Sequence, residues 1–302
     1  MNIKKTVFVA LLCWLASSVS AQLLYRVSGN GLQQPSYVLG TYHFAPIYMV
    51  DSIPGLRGAL ESVQQVYGEL EESLDLASIS DAAIMRKMMQ AMMMPDSVKL
   101  SQLIDPPHYQ GIDSLLKAKL GLNMAMAEMA HFSPIALATM LEAALTLEQQ
   151  PDFNPEQQFD SYFLKYAREK GLPAKGLETV DDQINTLFHG ISLERQAQLL
   201  MCLYDNLPSQ KEMTDEILAA YFSQDLDRLS QAMDKKTGTY CDNTPEEENR
   251  LVYDRNARWV AQMPTIIAEK PTFFAVGAGH LPGERGVLQL LRNAGYSVTG
   301  VK

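Results

Sequence analysis

Two of the chain's five histidines sit in matching surroundings. "QPSYVLGTYH" (34–43) and "KPTFFAVGAGH" (270–280) each run proline, Ser or Thr, an aromatic, an apolar stretch and Gly-x-x-His. A glycine there lets the backbone turn sharply and approach a ligand closely. Neutral imidazole is a metal ligand or a general base, so His43 and His280 are the first candidates for chemistry. Glu69 is the third, closing the apolar run of "VYGELEE". A carboxylate within such a run is costly to bury unless it is paired or metal-bound. Two histidines and a carboxylate can hold a divalent cation and leave positions open for water and substrate. The cation would lower the pKa of the bound water and polarise a scissile carbonyl. Glu69 or Glu71 could then accept the water's proton. Glu178, in "KGLETVDDQ", is a substrate contact, a residue supporting the site or a helix cap. Arg255 and Asn256, in "YDRNARW", lie on a helix, where an ion-paired or solvated face is the plain alternative.

To bring these side chains together, the elements must be arranged in one sheet. The match between the two ends reads as a strand–loop–helix–strand unit used twice. The expected fold is α/β (α+β): a central mixed sheet from two pseudo-symmetric strand–GxxH loop–helix–strand units. Both histidines would then lie at strand ends, where open sheets place their sites. Strands are expected over 23–27, 36–40, 65–70, 175–178, 272–276 and 296–301, the first two as a hairpin around "SGNG". A short helix is expected over 54–63 with Ser52 as its N-cap, and another over 283–293. A large helical insertion, approximately 75–170, would roof the site, with helical runs over 81–94, 115–129, 134–148 and 155–170. Helices resume over 180–232. Thr244 then caps a helix with Pro245 in its first turn.

The first 21 residues differ from the rest. Lys4 and Lys5 precede an apolar run and a small-x-small ending at Ala21. This is the pattern of a cleaved signal peptide, so residues 22–302 are expected to be a single exported domain, periplasmic or secreted. The apolar run is too short to span a bilayer, and no later stretch reaches spanning length. Without the leader the chain has 23 basic residues against 35 acidic ones, which argues against nucleic-acid binding. Cys202 and Cys241 remain, a disulfide candidate in an oxidising compartment, with two free thiols as the alternative. Six methionines between 85 and 94 could suggest Cu(I), but thioethers at helical spacing more often form adaptable core. There is no Gly-x-Ser-x-Gly elbow, HExxH helix or phosphate-binding glycine loop.

Several segments together resemble the TraB/GumN family, which includes Tiki-type metalloproteases: "LLYRVSGNGLQQPSYVLGTYH", "VYGELEE", "KGLETVDDQ", "DRNARW" and "FFAVGAGHLPGERGVLQLLRNAGYSV". The resemblance covers most of the chain after the leader. It implies a metal-dependent hydrolase, a peptidase in the Tiki branch, with His43, Glu69 and His280 at the site. It also implies a divalent metal, Mn2+ or Co2+, with Zn2+ a further candidate, and a peptide or protein substrate. Glu178, Arg255 and Asn256 match recurring family positions. Bacterial relatives have been tied to polysaccharide clusters and to pheromone shutdown, so the resemblance does not fix one activity. The alternative is a non-catalytic binding protein that sequesters a peptide or a haem-like ligand.

Overall fold

The computed structural model describes residues 22–71, 82–154 and 157–302. The leader, Glu72, Asp81 and the start of the helix expected from Pro155 lie outside the described residues. Six strands form one sheet: β1 (Leu24–Ser28), β2 (Ser36–Thr41), β3 (Gln65–Gly68), β4 (Ala174–Gly176), β5 (Thr272–Gly277) and β6 (Ser297–Gly300). Their order is β4-β3-β5-β2-β1-β6. β1 and β2 form the expected antiparallel hairpin, and β1 also pairs antiparallel with β6. The other pairings are parallel. The sheet is therefore mixed, with β1 alone running against the rest.

β2 and β5 lie side by side, with Gly40 opposite Val276 and Thr41 opposite Gly277. Both strands bury nearly every residue, as central parallel strands covered on both faces must. The two Gly-x-x-His segments thus leave the sheet at neighbouring strand ends. β1 stands between β2 and β6.

One core surrounds this sheet. The helix Phe159–Glu169 packs on it through Phe163, whose ring stacks on Phe273 at 5.3 Å. Trp259 and Met263, from the helix Asp254–Glu269, belong to the same core and are fully buried. A second core, drawn from Met94 to Leu203, belongs to the helical layer of Pro106–Leu120, Pro134–Glu148 and Leu193–Asp205. Met94 and Met124 are buried in this layer and Met88 and Met92 in a third cluster with Ile184 and Phe188, all as adaptable core.

Several boundaries differ from the sequence reading, each for a local reason. The run 115–129 divides at Gly121, which takes a left-handed conformation (φ 65°) and ends one helix. The helix near 54–63 is Leu56–Glu61 and begins after Gly55. Ser52 instead closes a preceding turn, its hydroxyl donating to the Tyr48 carbonyl at 3.2 Å. The helix expected over 283–293 starts only at Val287. Thr244 caps Pro245–Glu248 as expected, accepting from the Glu247 amide. Cys202 and Cys241 are bonded, with Cα atoms 5.6 Å apart. The bond ties the helix Leu193–Asp205 to the loop before Thr244.

Candidate active site

The site forms where β2, β3 and β5 end. β3 stops at Gly68, and Glu69 follows. The backbone there is fixed by the far edge of the sheet: the Leu177 and Glu178 amides donate to the Glu69 carbonyl at 3.0 and 2.9 Å. Gly176 permits this crossing, since a Cβ on it would lie 2.5 Å from the Glu71 amide nitrogen. Glu69 turns its carboxylate toward β5. Oε1 accepts the Gly277 amide at 2.8 Å, and Oε2 meets Arg255 Nη2 at 2.5 Å.

Arg255 is the centre of the arrangement. A π-helical turn, Asn249–Tyr253, leads into its helix, a feature common near functional sites. Arg255, Asn256 and Trp259 are all buried on one side of that helix. The guanidinium grips Glu178 with two bonds, Nε to Oε2 at 3.1 Å and Nη2 to Oε1 at 2.7 Å. Trp259 Nε1 donates to Glu178 Oε2 at 3.3 Å, and Gln183 Nε2 to Oε1 at 3.1 Å. Glu178 is therefore an inward charge partner, not a helix cap; Thr179 caps the next helix.

His280 is buried beside them. Asn256 donates its amide to the carbonyls of His280 and Arg285, at 3.2 and 2.9 Å. That leaves Asn256 Oδ1 facing His280 Nδ1 at 2.7 Å, so Nδ1 carries the hydrogen. Arg255 Nη1 donates to Nε2 at 3.0 Å. Burial, offset in part by Glu69 and reinforced by Arg255, lowers the His280 pKa to about 4. This histidine is neutral, with both nitrogens engaged.

His43 is different. Its Nδ1 pairs with Asp160 Oδ2, and the side chain is 77% exposed. Attraction to Asp160, against a desolvation cost and with help from Glu69, raises its pKa to about 9. Among the described residues no partner engages Nε2. Glu69 responds in the opposite sense. Its burial disfavours charge, but Arg255, His280, His43 and the Gly277 amide outweigh that cost and hold its pKa at about 2.

His43, Glu69 and His280 thus share one neighbourhood, and Glu178, Arg255 and Asn256 bind to it directly. Glu71 offers its carbonyl to Arg168 at 2.5 Å and lines a cavity of about 550 Å3 together with Glu178, Leu70 and Thr179. Asp160 was missed by the sequence reading. Its one signal is an acid in the first turn of an amphipathic helix, and such acids ordinarily serve the helix dipole.

The three residues named for a metal do not fit one as they are arranged. His280 Nε2 already accepts from Arg255, and Glu69 is ion-paired with the same guanidinium. Among the described residues no group of three His, Cys, Asp or Glu side chains is set to hold a metal ion. The fixed cation of this site is Arg255.

Fold and site together define an α/β protein with two Gly-x-x-His segments at adjacent strand ends around a buried arginine–carboxylate–histidine cluster. The chain belongs to the TraB/PrgY/gumN family, whose model matches residues 23–300. It is 22% identical to a Metalloprotease TIKI homolog of Nematostella vectensis over 89% of this chain and 65% of that protein. Identity is also 22% with Metalloprotease TIKI2 of Danio rerio, over 87% of this chain and 58% of the relative. The chain thus spans about three-fifths of the length of the curated relatives it matches. No solved structure matches.

Proposed function

We propose that this chain is an exported hydrolase that cleaves peptide bonds at the β2–β3–β5 strand ends, on a single domain over 22–302. The observation that carries the reading is the His43–Asp160 pair. Asp160 holds one imidazole nitrogen, and the ring stands exposed to solvent. With its pKa near 9, His43 is protonated at neutral pH. It therefore suits protonation of a leaving amine or stabilisation of a developing oxyanion. Glu69 stays ionised through Arg255, and Asn256 fixes the orientation of His280. The names of the curated relatives support a peptidase and a divalent metal. Because the donor set does not fit a cation as arranged, no catalytic step is derived through one. The bonded Cys202–Cys241 pair and the leader-like first 21 residues support an oxidising compartment outside the cytoplasm. No helix among the described residues is long and apolar enough to cross a membrane.

The test is digestion of a defined peptide library by the mature chain, with and without Mn2+, Co2+ or Zn2+ and with chelator, read by mass spectrometry. Cleavage that His43→Ala lowers about 100-fold or more supports the reading. A library left intact under every metal condition overturns it. One observation favours a second reading, a binding protein without turnover: Arg255 already engages both Glu69 and His280, so neither is a free base. That reading predicts peptide or haem-like ligand bound without cleavage, and retained by His43→Ala.

A further inference from the structure

His280 is carried by a single 3-10 turn, Ala278–His280, directly after β5. In such a turn residues three apart lie one above the other. Ala278 and Leu281 therefore share one face, Gly279 has a second and His280 a third. All three faces are covered. Ala278 and Leu281 lie against β2, where a Cβ on Gly40 would be 3.0 Å from Ala278 Cα and 2.9 Å from Leu281 Cδ1. His280 faces Arg255 and Asn256. Gly279 is covered by Met233, the last residue of the helix Leu226–Met233. A Cβ on Gly279 would lie 2.5 Å from Met233 Cε and 3.1 Å from Met233 Sδ.

Met233 is also 46% exposed, so its thioether meets solvent on one side and the His280 turn on the other. A peroxide can oxidise such a sulfur to the sulfoxide. The Sδ lone pair attacks a peroxide oxygen, and an S–O bond forms as the O–O bond breaks. The departing hydroxide takes the proton from that oxygen and leaves as water. Sulfur loses two electrons and the peroxide gains them. The product is polar and chiral where the thioether was apolar. On Gly279 the added oxygen either presses on the backbone or draws water to it. The turn cannot retreat toward β2, because the contact with Gly40 is already close. We propose that Met233 is a modification site, whose reversible oxidation by a peroxide loosens the turn and shifts the His280 imidazole against Asn256 and Arg255. Methionine sulfoxide reductases restore the thioether. The inference invokes no peptide cleavage and does not rest on the peptidase reading.

Graded hydrogen peroxide on the mature chain tests this. Peptide mass spectrometry reads the sulfoxide at each methionine, and NMR of histidine-labelled chain follows the His280 imidazole, assigned by its loss in His280→Gln. Met93, Met126 and Met129 are exposed too and serve as controls. Met126 and Met129 lie on the helix Met124–Met129, and Met93 bridges to Phe132, all in the helical layer. The His280 signal is expected to move in proportion to sulfoxide at Met233 and to return when the reductases restore the thioether. Met233→Leu keeps an apolar side chain of similar volume and should leave the signal fixed while Met129 is still oxidised. Met233→Gln, polar at the same place, should move the signal without peroxide. Three results would each overturn the proposal: Met233 unmodified when Met129 is fully oxidised, a His280 signal unmoved at full conversion, or an equal movement in Met233→Leu. A shift that persists after the thioether is restored would overturn its reversibility.

Discussion

Arg255 Nη1 lies 3.0 Å from His280 Nε2, so the imidazole nitrogen a metal would take is accepting a hydrogen bond from a guanidinium. The same side chain is ion-paired with Glu69 and with Glu178, both largely buried. This makes Arg255 the residue whose loss should be felt most widely.

Arg255→Met should strand two buried carboxylates. Removing one partner of a buried ion pair costs about 3–5 kcal/mol, so a large fall in thermal midpoint is expected. Glu69 should also lose its main charge-stabilising neighbour, and its pKa should rise from about 2. Calorimetric melting and carboxyl-detected NMR titration check the two effects. A variant as stable as the parent would show that the cluster is not held by this arginine.

The His43–Asp160 pair predicts a pH profile. The His43 pKa is raised, so its proton adds stability fully below the ordinary value of 6.5. That contribution is lost as pH rises through about 9. Peptide cleavage that needs the imidazolium should hold through neutral pH and fall above about 9. Asp160→Asn should move that alkaline limb down toward 6.5, because attraction to Asp160 is the largest cause of the shift. An unmoved limb in Asp160→Asn would assign the titration to another group.

Gly40 yields a prediction about packing. A Cβ there would lie 2.9 Å from Leu281 Cδ1 and 3.0 Å from the Ala278 Cα. Leu281 can shift, but backbone at Ala278 moves only with the loop that carries His280. Gly40→Ala should cost about 1–3 kcal/mol, read by urea denaturation, and should disturb His280 as well. Stability and activity both within error of the parent would refute the tight contact.

The disulfide closes a loop between positions 39 apart. Paired Cys202→Ser and Cys241→Ser should lower stability by about 2–4 kcal/mol. Thiol titration of the unfolded, unreduced chain checks the bond itself and should find no free thiol from these two residues.

Much of this was legible from sequence. The hairpin, β5 and the helix 134–148 follow from apolar patterning bounded by glycine and proline. His43, Glu69 and His280 stood out because each ends an apolar run. What the chain order hid was partnership. The glycine of each Gly-x-x-His segment was expected to turn the backbone sharply. Gly40 is not among the glycines with positive φ; it lets β2 approach the loop after β5. His43 pairs with Asp160, 117 positions away. A pairing that distant leaves no period in the sequence to read. The same holds for Arg255, whose helix position suggested a surface ion pair and whose two carboxylates lie 77 and 186 positions earlier.

β1 is hydrogen-bonded to β2 on one side and to β6 on the other. The earliest strand of the sheet is therefore completed by the latest one. Contacts of such long sequence separation carry a high closure entropy and form slowly. While the chain is still emerging, β1 has an open edge and the Gly277–Glu69 bond, spanning 208 positions, has no donor. Assembly of the site is thus coupled to synthesis of the C-terminal strands, and an incomplete chain carries Glu69 without the Gly277 amide and His280 that help hold its charge.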